Sequence, residues 1–370
     1  MPASAPAMVK VGILNDMADL GADLGADPVT DAPGPDLCAP MPGDLSGWIE
    51  REVATVRAAG RLNAEVEFIH AYALGLPSGT AEAVEQAYRQ LADAGAALIV
   101  GPAIGDNALV VTPLAEQWRI PTINWAAAER ARGRWMFQHQ GGSHEDESLV
   151  IARHMARLGL RRLAVAYDLS PVGTRQLKYL ECEARVLGVE ISAREGLSPL
   201  AETVDSTIGA LLAGEPDGFV YLGSGQSAPP IARALDCAGW QGPRIMNMAG
   251  LRGYEGDFAR ACDGWFYVDM HSDGNTTLKA VMASFQAPLR QALAVAKGHD
   301  IGRLVAEGLA RAADFTREGV RVGLEQVKWL PAAEGHEGTL LGFGVHDRGA
   351  LHGRYLVMRQ WLGGETREVA

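Results

Sequence analysis

The ten residues LIVGPAIGDN, 98–107, decide the fold. Leu98, Ile99 and Val100 read as the end of a buried strand, Gly101-Pro102 as a turn, and the residues from Asp106 onward as a helix. Strand, tight turn and helix in that order form one arm of a βαβ unit. Working outward, the same grammar recurs. Upstream, strands are expected at 9–14 (VKVGIL) and 65–70 (EVEFIH). Amphipathic helices are expected at 45–59, with Ile49, Val53 and Val56 on one face, and at 80–94, opened by Thr80 and closed by Gly95. Downstream, helix 106–118 leads to strand 121–124 (PTIN). Strands alternating with helices of 10–15 residues imply right-handed crossovers and a parallel sheet, an α/β fold.

The alternation then restarts. Ser143 is expected to open a helix at 144–158. Strand 162–167, helix 173–187, strand 189–194, helix 201–213, strand 217–222, helix 229–238 and strands 243–248 and 264–268 follow. Pro229 and Pro230 suit a first helical turn, where missing N–H groups cost nothing. Two α/β lobes therefore stand in series, with their junction near MFQHQGGS, 136–143. Two further helices are expected at 277–296 and 300–316, and a strand within RYLVMRQW, 354–361.

The composition of the 370 residues narrows the function classes. Apolar residues make up 48% and charged residues 21%, an ordinary globular balance. The net charge of −12 makes nucleic acid and anionic membrane poor partners. No run approaches about 18 apolar residues, so no membrane insertion is expected. The start, MPASAPAMVKVGIL, lacks a basic n-region, and Lys10 interrupts its apolar run, so it does not read as a secretory signal. The chain is expected outside the cytoplasm if a leader was removed, and in the cytoplasm otherwise. Cys38, Cys182, Cys237 and Cys262 form no CxxC and are expected to be isolated buried thiols.

HExxH, Walker A, GxSxG and a GxGxxG after the first strand are all absent, and no metal or cofactor is expected. The HEDE run, 144–147, looks like a ligand cluster but reads better as acidic residues favouring a helix dipole after the cap Ser143. His139 and His144 are expected as solvated hinge histidines. The Asp- and Pro-rich stretch 15–44 lacks the order of a calcium loop. It reads either as a lid at the end of the first strand or as a solvated insertion.

Candidate binding residues follow from topology, because open α/β sheets bind ligands at the carboxyl ends of their strands. These are Asp16, Gly101, Ile104, Gly105, Asp106, Asn107, Asn124, Trp125 and Ala126 in the first lobe, joined by Trp48. The second lobe offers Asp168, Ser170, Val172, Ser224 and Met248. Asp106 is expected to cap its own helix. Trp125, beside Asn124 and three alanines, reads as a pocket wall rather than core. An α/β enzyme working through Asp16, Asp168 or His271 is the alternative from another class. It would need an acid–base pair within hydrogen-bond reach.

In order, VKVGIL, VRAAGRLN (56–63), LIVGPAIGDN, PTINWAAAE (121–129), RLAVAYDLSPVGTRQL (162–177), EPDGFVYLGSG (215–225) and GRYLVMRQWLGGE (353–365) resemble segments of the type I periplasmic solute-binding proteins. The specific group is that of branched-chain amino-acid (Leu/Ile/Val) binding proteins of ABC transporters. The resemblance implies two Rossmann-like lobes joined by three hinge crossings, near 137–142, 267–275 and 339–345, that close on a small molecule without catalysis. Lobe 1 would hold 1–138 and 274–340, and lobe 2 would hold 140–268 and 341–370. It also implies an ABC permease as partner, or ligand sensing in the manner of cytoplasmic amide-sensing relatives.

The resemblance also marks departures. The serine that holds a ligand carboxylate falls at Gly105, the threonine of the next loop at Ala128, and the tyrosine of the second lobe at Val172. The acidic partner of the ammonium falls at Met248-Ala249-Gly250. A zwitterion desolvated without partners is costly, so an apolar or aromatic solute is expected instead of a free amino acid.

Overall fold

The computed structural model describes residues 7–17, 45–254 and 256–369. The chain divides into two compact units. One contains 1–141 and 274–355, the other 142–273 and 356–370.

In the first unit, strands β1 (Ala7–Asn15), β2 (Ala64–Tyr72), β3 (Leu98–Val100), β4 (Thr122–Asn124) and β5 (Met136–Gln138) form a parallel sheet in the order β2-β1-β3-β4-β5. Helices α1 (Leu45–Ala58), α2 (Ala81–Asp93) and α3 (Gly105–Trp118) connect them. The Thr80 hydroxyl caps α2 by accepting the Ala83 N–H, as the sequence suggests. Because β3 crosses back beside β1, the β1/β3 edge is where the strand order reverses. Crossovers on opposite faces leave a crevice at such a point.

In the second unit, α4 (His144–Arg157), β6 (Arg162–Asp168), α5 (Pro171–Val186), β7 (Glu190–Leu197), α6 (Asp205–Leu212), β8 (Gly218–Leu222), α7 (Ala228–Cys237), β9 (Arg244–Met246), α8 (Phe258–Ala261) and β10 (Phe266–Asp269) repeat the scheme. The parallel part runs β7-β6-β8-β9-β10, and its order reverses at β6/β8. Two antiparallel strands from the tail of the chain, β14 (Val357–Leu362) and β15 (Glu365–Glu368), extend it. Trp265, Trp361, Tyr221 and Tyr267 fill its core.

The late helices differ from expectation. They are α9 (Thr276–Phe285), α10 (Ala292–Arg311) and α11 (Arg317–Glu325). Gln286 ends α9 in the left-handed region, at φ 54°. Gly298, which falls in the gap between the expected helices 277–296 and 300–316, lies inside α10. A Cβ there would sit 2.3 Å from the Trp48 ring, so this glycine serves close packing and not termination. β11 (Leu330–Pro331), β12 (Leu340–Leu341) and β13 (Leu351–His352) make a small antiparallel sheet in the first unit. That pairing keeps 341–355 with the first unit, whereas the sequence reading assigns these residues to lobe 2. The chain passes between units at 141/142, 273/274 and 355/356.

Among the described residues, Cys182 and Cys237 are exposed and Cys262 is buried, which corrects the expectation of buried thiols for the first two. Cys38, and the acidic stretch beyond Met17 as far as residue 44, lie outside the described residues. No described helix is long and apolar enough to cross a membrane.

Candidate functional site

Two of the candidate residues, Asp16 and Asp168, lie at the points where the strand orders reverse. In the first unit the chain leaves β1 at Asp16, and the turn after β3 must pass close to it. Gly101 has φ +112°, and a Cβ there would meet the Leu14 carbonyl oxygen at 2.2 Å. Only glycine lets the turn approach this closely. The Asp16 carboxylate then accepts the N–H of Ala103 at 2.8 Å, the N–H of Ile104 at 3.0 Å and Nδ2 of Asn107 at 2.8 Å. Asn107 passes the link on by accepting the Leu76 N–H at 2.9 Å. The carboxylate thus occupies the N-terminal approach to α3, where the helix dipole favours negative charge. Burial pushes its pKa above the ordinary value, against the pull of these donors.

The second unit repeats the device. Asp168 ends β6, and its carboxylate accepts the Ser224 N–H at 2.7 Å and the Tyr221 hydroxyl at 2.9 Å. Both donors lie at the end of β8. Burial raises the Asp168 pKa, and burial together with Asp168 pushes the Tyr221 phenol well above its usual range. The Tyr221 hydroxyl therefore stays a neutral donor. Ser170 caps α5 by accepting the Gly173 N–H, with Val172 half-buried in the first turn. The main-chain N–H of Met248 is held by Glu147 at 3.0 Å, and Glu147 also receives the Ser143 N–H at 2.9 Å. Asn247 Nδ2 donates to Gln176 Oε1 and to the Gly223 carbonyl, each at 3.0 Å.

After β4, Asn124 is fully buried and locked. Its Nδ2 donates to the carbonyls of Ala131 and Phe137, and its Oδ1 accepts the Ala126 N–H. Ala126 and Ala128 pack with Ala108 and Ala131 in a small core cluster, so they are packing residues and not exposed wall. Trp125 is half-buried; its Nε1–H meets no acceptor among the described residues, and Lys297 Nζ lies 5.9 Å from its ring centroid. Ile104, Gly105 and Asp106 are also half-buried. The cap position of α3 is Ile104, and Asp106 lies in the first turn, not at the cap as expected.

Trp48 is a different case. It is 4% exposed, packed with Leu278, Val295 and Ala333 and edge-on to Phe285 at 4.7 Å. It is part of the helical core and stands apart from the strand ends. The HEDE run is the first turn of α4, with Asp146 N–H donating to the Ser143 hydroxyl. His139 and His144 are buried, not solvated. Glu147, Tyr221 and Asn247 were missed in sequence. Their signal was position: each lies within a few residues of a strand or helix end already singled out.

Among the described residues, neither aspartate is hydrogen-bonded to a histidine, lysine or second carboxylate. Asp16 accepts from two backbone amides and an amide side chain, and Asp168 from a backbone amide and a phenol. His271 Nδ1 lies 3.2 Å from the Tyr254 hydroxyl, which donates to Asp269 at 2.8 Å. His271 and Asp269 are buried and Tyr254 is half-buried, and burial lowers the His271 pKa.

Against known proteins, a family profile described as periplasmic binding protein matches residues 77–357. No curated protein matches the chain in sequence. Among solved structures, a type 1 periplasmic binding protein from Bordetella pertussis Tohama I aligns with a TM-score of 0.79 at 15% identity, over 98% of this chain and 99% of that one. The leucine-binding protein LivK from Thermotoga maritima aligns at 0.76 and 13% identity, over 98% of each chain. An ABC transporter substrate-binding protein from Desulfitobacterium hafniense, solved in complex with Leu, aligns at 0.73 and 15%, over 98% and 100%. At these identities the likeness carries the fold.

Proposed function

Since the chain belongs to the periplasmic binding protein family, type I, we propose that it is a non-catalytic receptor for a neutral, apolar or aromatic solute, which it delivers to an ABC permease. Delivery to a permease is proposed by likeness to the Desulfitobacterium hafniense substrate-binding protein. The three chain crossings are the proposed hinge. On this reading each unit offers solute contacts at the carboxyl end of its own sheet: the half-buried ring of Trp125 and the Ile104–Asp106 turn in the first, and Val172, Ser224 and Met248 in the second.

One observation carries the choice of solute class. At both points of strand reversal the donors that an anionic headgroup would use are taken by the chain's own carboxylate: Asp16 on Ala103 and Ile104, Asp168 on Ser224. A ligand carboxylate would find those N–H groups engaged and would meet like charge. The side chains remaining at these rims are mostly neutral. A desolvated charge without a partner is strongly disfavoured, whereas apolar burial contributes about 25 cal/mol per Å².

The test is a thermal-shift panel followed by calorimetry. Neutral aromatic amides and polycyclic compounds should include a binder, and leucine, valine and the other free amino acids should give no shift. Trp125→Ala should weaken that binder at least tenfold. Micromolar binding of leucine would overturn the solute class.

A further inference from the structure

Away from the strand ends, the first unit contains a second cluster that the reading above does not use. His139 follows β5, Asp300 lies in the middle of α10, and Glu334 lies between β11 and β12. All three side chains are fully buried. One ligand atom from each lies within 4.8 Å of the others, and His139 Nε2 is 3.0 Å from Glu334 Oε2.

We propose that His139, Asp300 and Glu334 bind one first-row divalent cation, with zinc the best match to the donor set. Around an ion with bonds of about 2.0–2.2 Å, tetrahedral donors stand about 3.4 Å apart. The three donors are therefore already close to ligating separation.

The hydrogen bonding points the same way. Both ring nitrogens of His139 and both carboxylate oxygens of Glu334 are buried with no hydrogen-bond partner among the described residues. Their 3.0 Å approach does not have hydrogen-bond geometry. Four buried polar atoms in one place without partners are unusual unless something else satisfies them.

The surroundings hold these donors in place. Asp300 accepts the N–H groups of Ala333 at 2.8 Å and Glu334 at 3.0 Å. On the other side of that loop, Asn275 Nδ2 donates to the carbonyls of Ala332 at 3.1 Å and Gly335 at 3.0 Å. The loop carrying Glu334 is thus gripped from α10 and from the start of α9. The His139 main-chain N–H donates to the Asn124 carbonyl at 2.8 Å. Hydrogen bonds that orient ligands in this way are typical of metal sites.

Charge argues for a dication. In the forms that ligate a metal, two carboxylates and a neutral imidazole sum to −2. One divalent cation brings the sum to zero. Imidazole with carboxylates, and no sulfur, selects zinc or manganese over copper(I). The ion would tie together three segments that are remote in sequence, beside the first chain crossing.

The test uses the full chain. Protein stripped with a chelator should take up one equivalent of zinc, with a rise in Tm. Substitution with Co²⁺ should give visible d–d absorption. Glu334→Gln, checked for folding by circular dichroism, should bind zinc at least about 100-fold more weakly and lose the cobalt band. If that variant does not fold, X-ray absorption on the zinc-loaded wild-type protein decides. One imidazole among oxygen donors supports the site, and two or more imidazoles or any sulfur overturns it. Absence of zinc and manganese uptake, of a Tm shift and of a cobalt band in the wild-type protein also overturns it, leaving a triad held by protons alone. Unchanged affinity in folded Glu334→Gln does the same.

Discussion

Replacing Asp16 by Ala removes the carboxylate that fills the approach to α3 and leaves three donors without it: the part-buried N–H groups of Ala103 and Ile104 and the buried Nδ2 of Asn107. An orphaned buried donor costs about 1–3 kcal/mol and a part-buried one less, so three donors set a gross loss of at most about 9 kcal/mol. The wild-type charge carries its own burial penalty, visible in its raised pKa, and the substitution relieves it. The net destabilisation should therefore fall well below that ceiling, at about 3 kcal/mol. Urea unfolding at pH 7 reads this as a lower midpoint with the same slope.

The informative step is rescue. Formate is a free carboxylate small enough for the vacated space. At ten times its dissociation constant it should restore about 1.4 kcal/mol to the variant. The wild-type protein, whose donors are taken, should not respond at matched ionic strength. If Asp16→Ala unfolds at the wild-type urea concentration, the three contacts contribute nothing net. If formate shifts both proteins equally, the argument that Asp16 occupies an anion site is refuted, and with it the main support for a neutral solute.

Two further perturbations test the packing that presents these sites. His154 is buried against Phe266 at 4.9 Å, and burial lowers its pKa from 6.5 to about 4. Between those values the unfolded chain binds the proton and the folded chain does not. The stability is therefore complete above pH 6.5 and falls as pH drops toward 4, by up to about 3 kcal/mol from this group. His154→Leu should flatten the fall in urea midpoint between pH 7 and pH 4.5, and an unchanged slope would mean that other groups govern it. Gly298→Ala sets a methyl against the Trp48 ring and should cost about 1–3 kcal/mol, less about 1 kcal/mol of helix propensity gained. In a Trp48→Leu background the same change should become neutral or stabilising. A double-mutant cycle without that reversal would show that the contact does not set the helix position.

The sheets and most helices were legible because their signals are local. Thr80 and Ser143 announce helix starts through side chains that bond three residues onward, and LIV at 98–100 has the apolar run of a strand covered on both faces. The α9/α10 boundary was expected at 297–299, where the structure has a continuous helix; Gly298 there admits an indole, and the indole comes from α1, which no local signal shows. Trp48 and Trp125 were likewise inseparable in sequence: exposure depends on what packs opposite, and for Trp48 that is α9 and α10. His139, Asp300 and Glu334 share no spacing at all. Only the fold brings them together.

Asp16 and Asp168 were both singled out, and their positions were legible for a general reason. Each is the residue with which a lobe's first strand of the parallel sheet turns toward the strand-reversal point. What each does there was hidden, because two of the three partners of Asp16 and one of the two partners of Asp168 are backbone N–H groups, which carry no residue-type signal. The end of a parallel strand that feeds a helix gathers such donors with the positive end of the helix dipole, and buried donors must be satisfied by something. A protein that binds an anion can leave that task to its ligand. In this chain an aspartate performs it twice, at equivalent positions of two sheets. On the proposed reading, selection against anionic solutes would follow from occupancy and not from a lack of donors. That is why removing one carboxylate should create an affinity for formate, whereas adding a positive charge elsewhere on the rim should not.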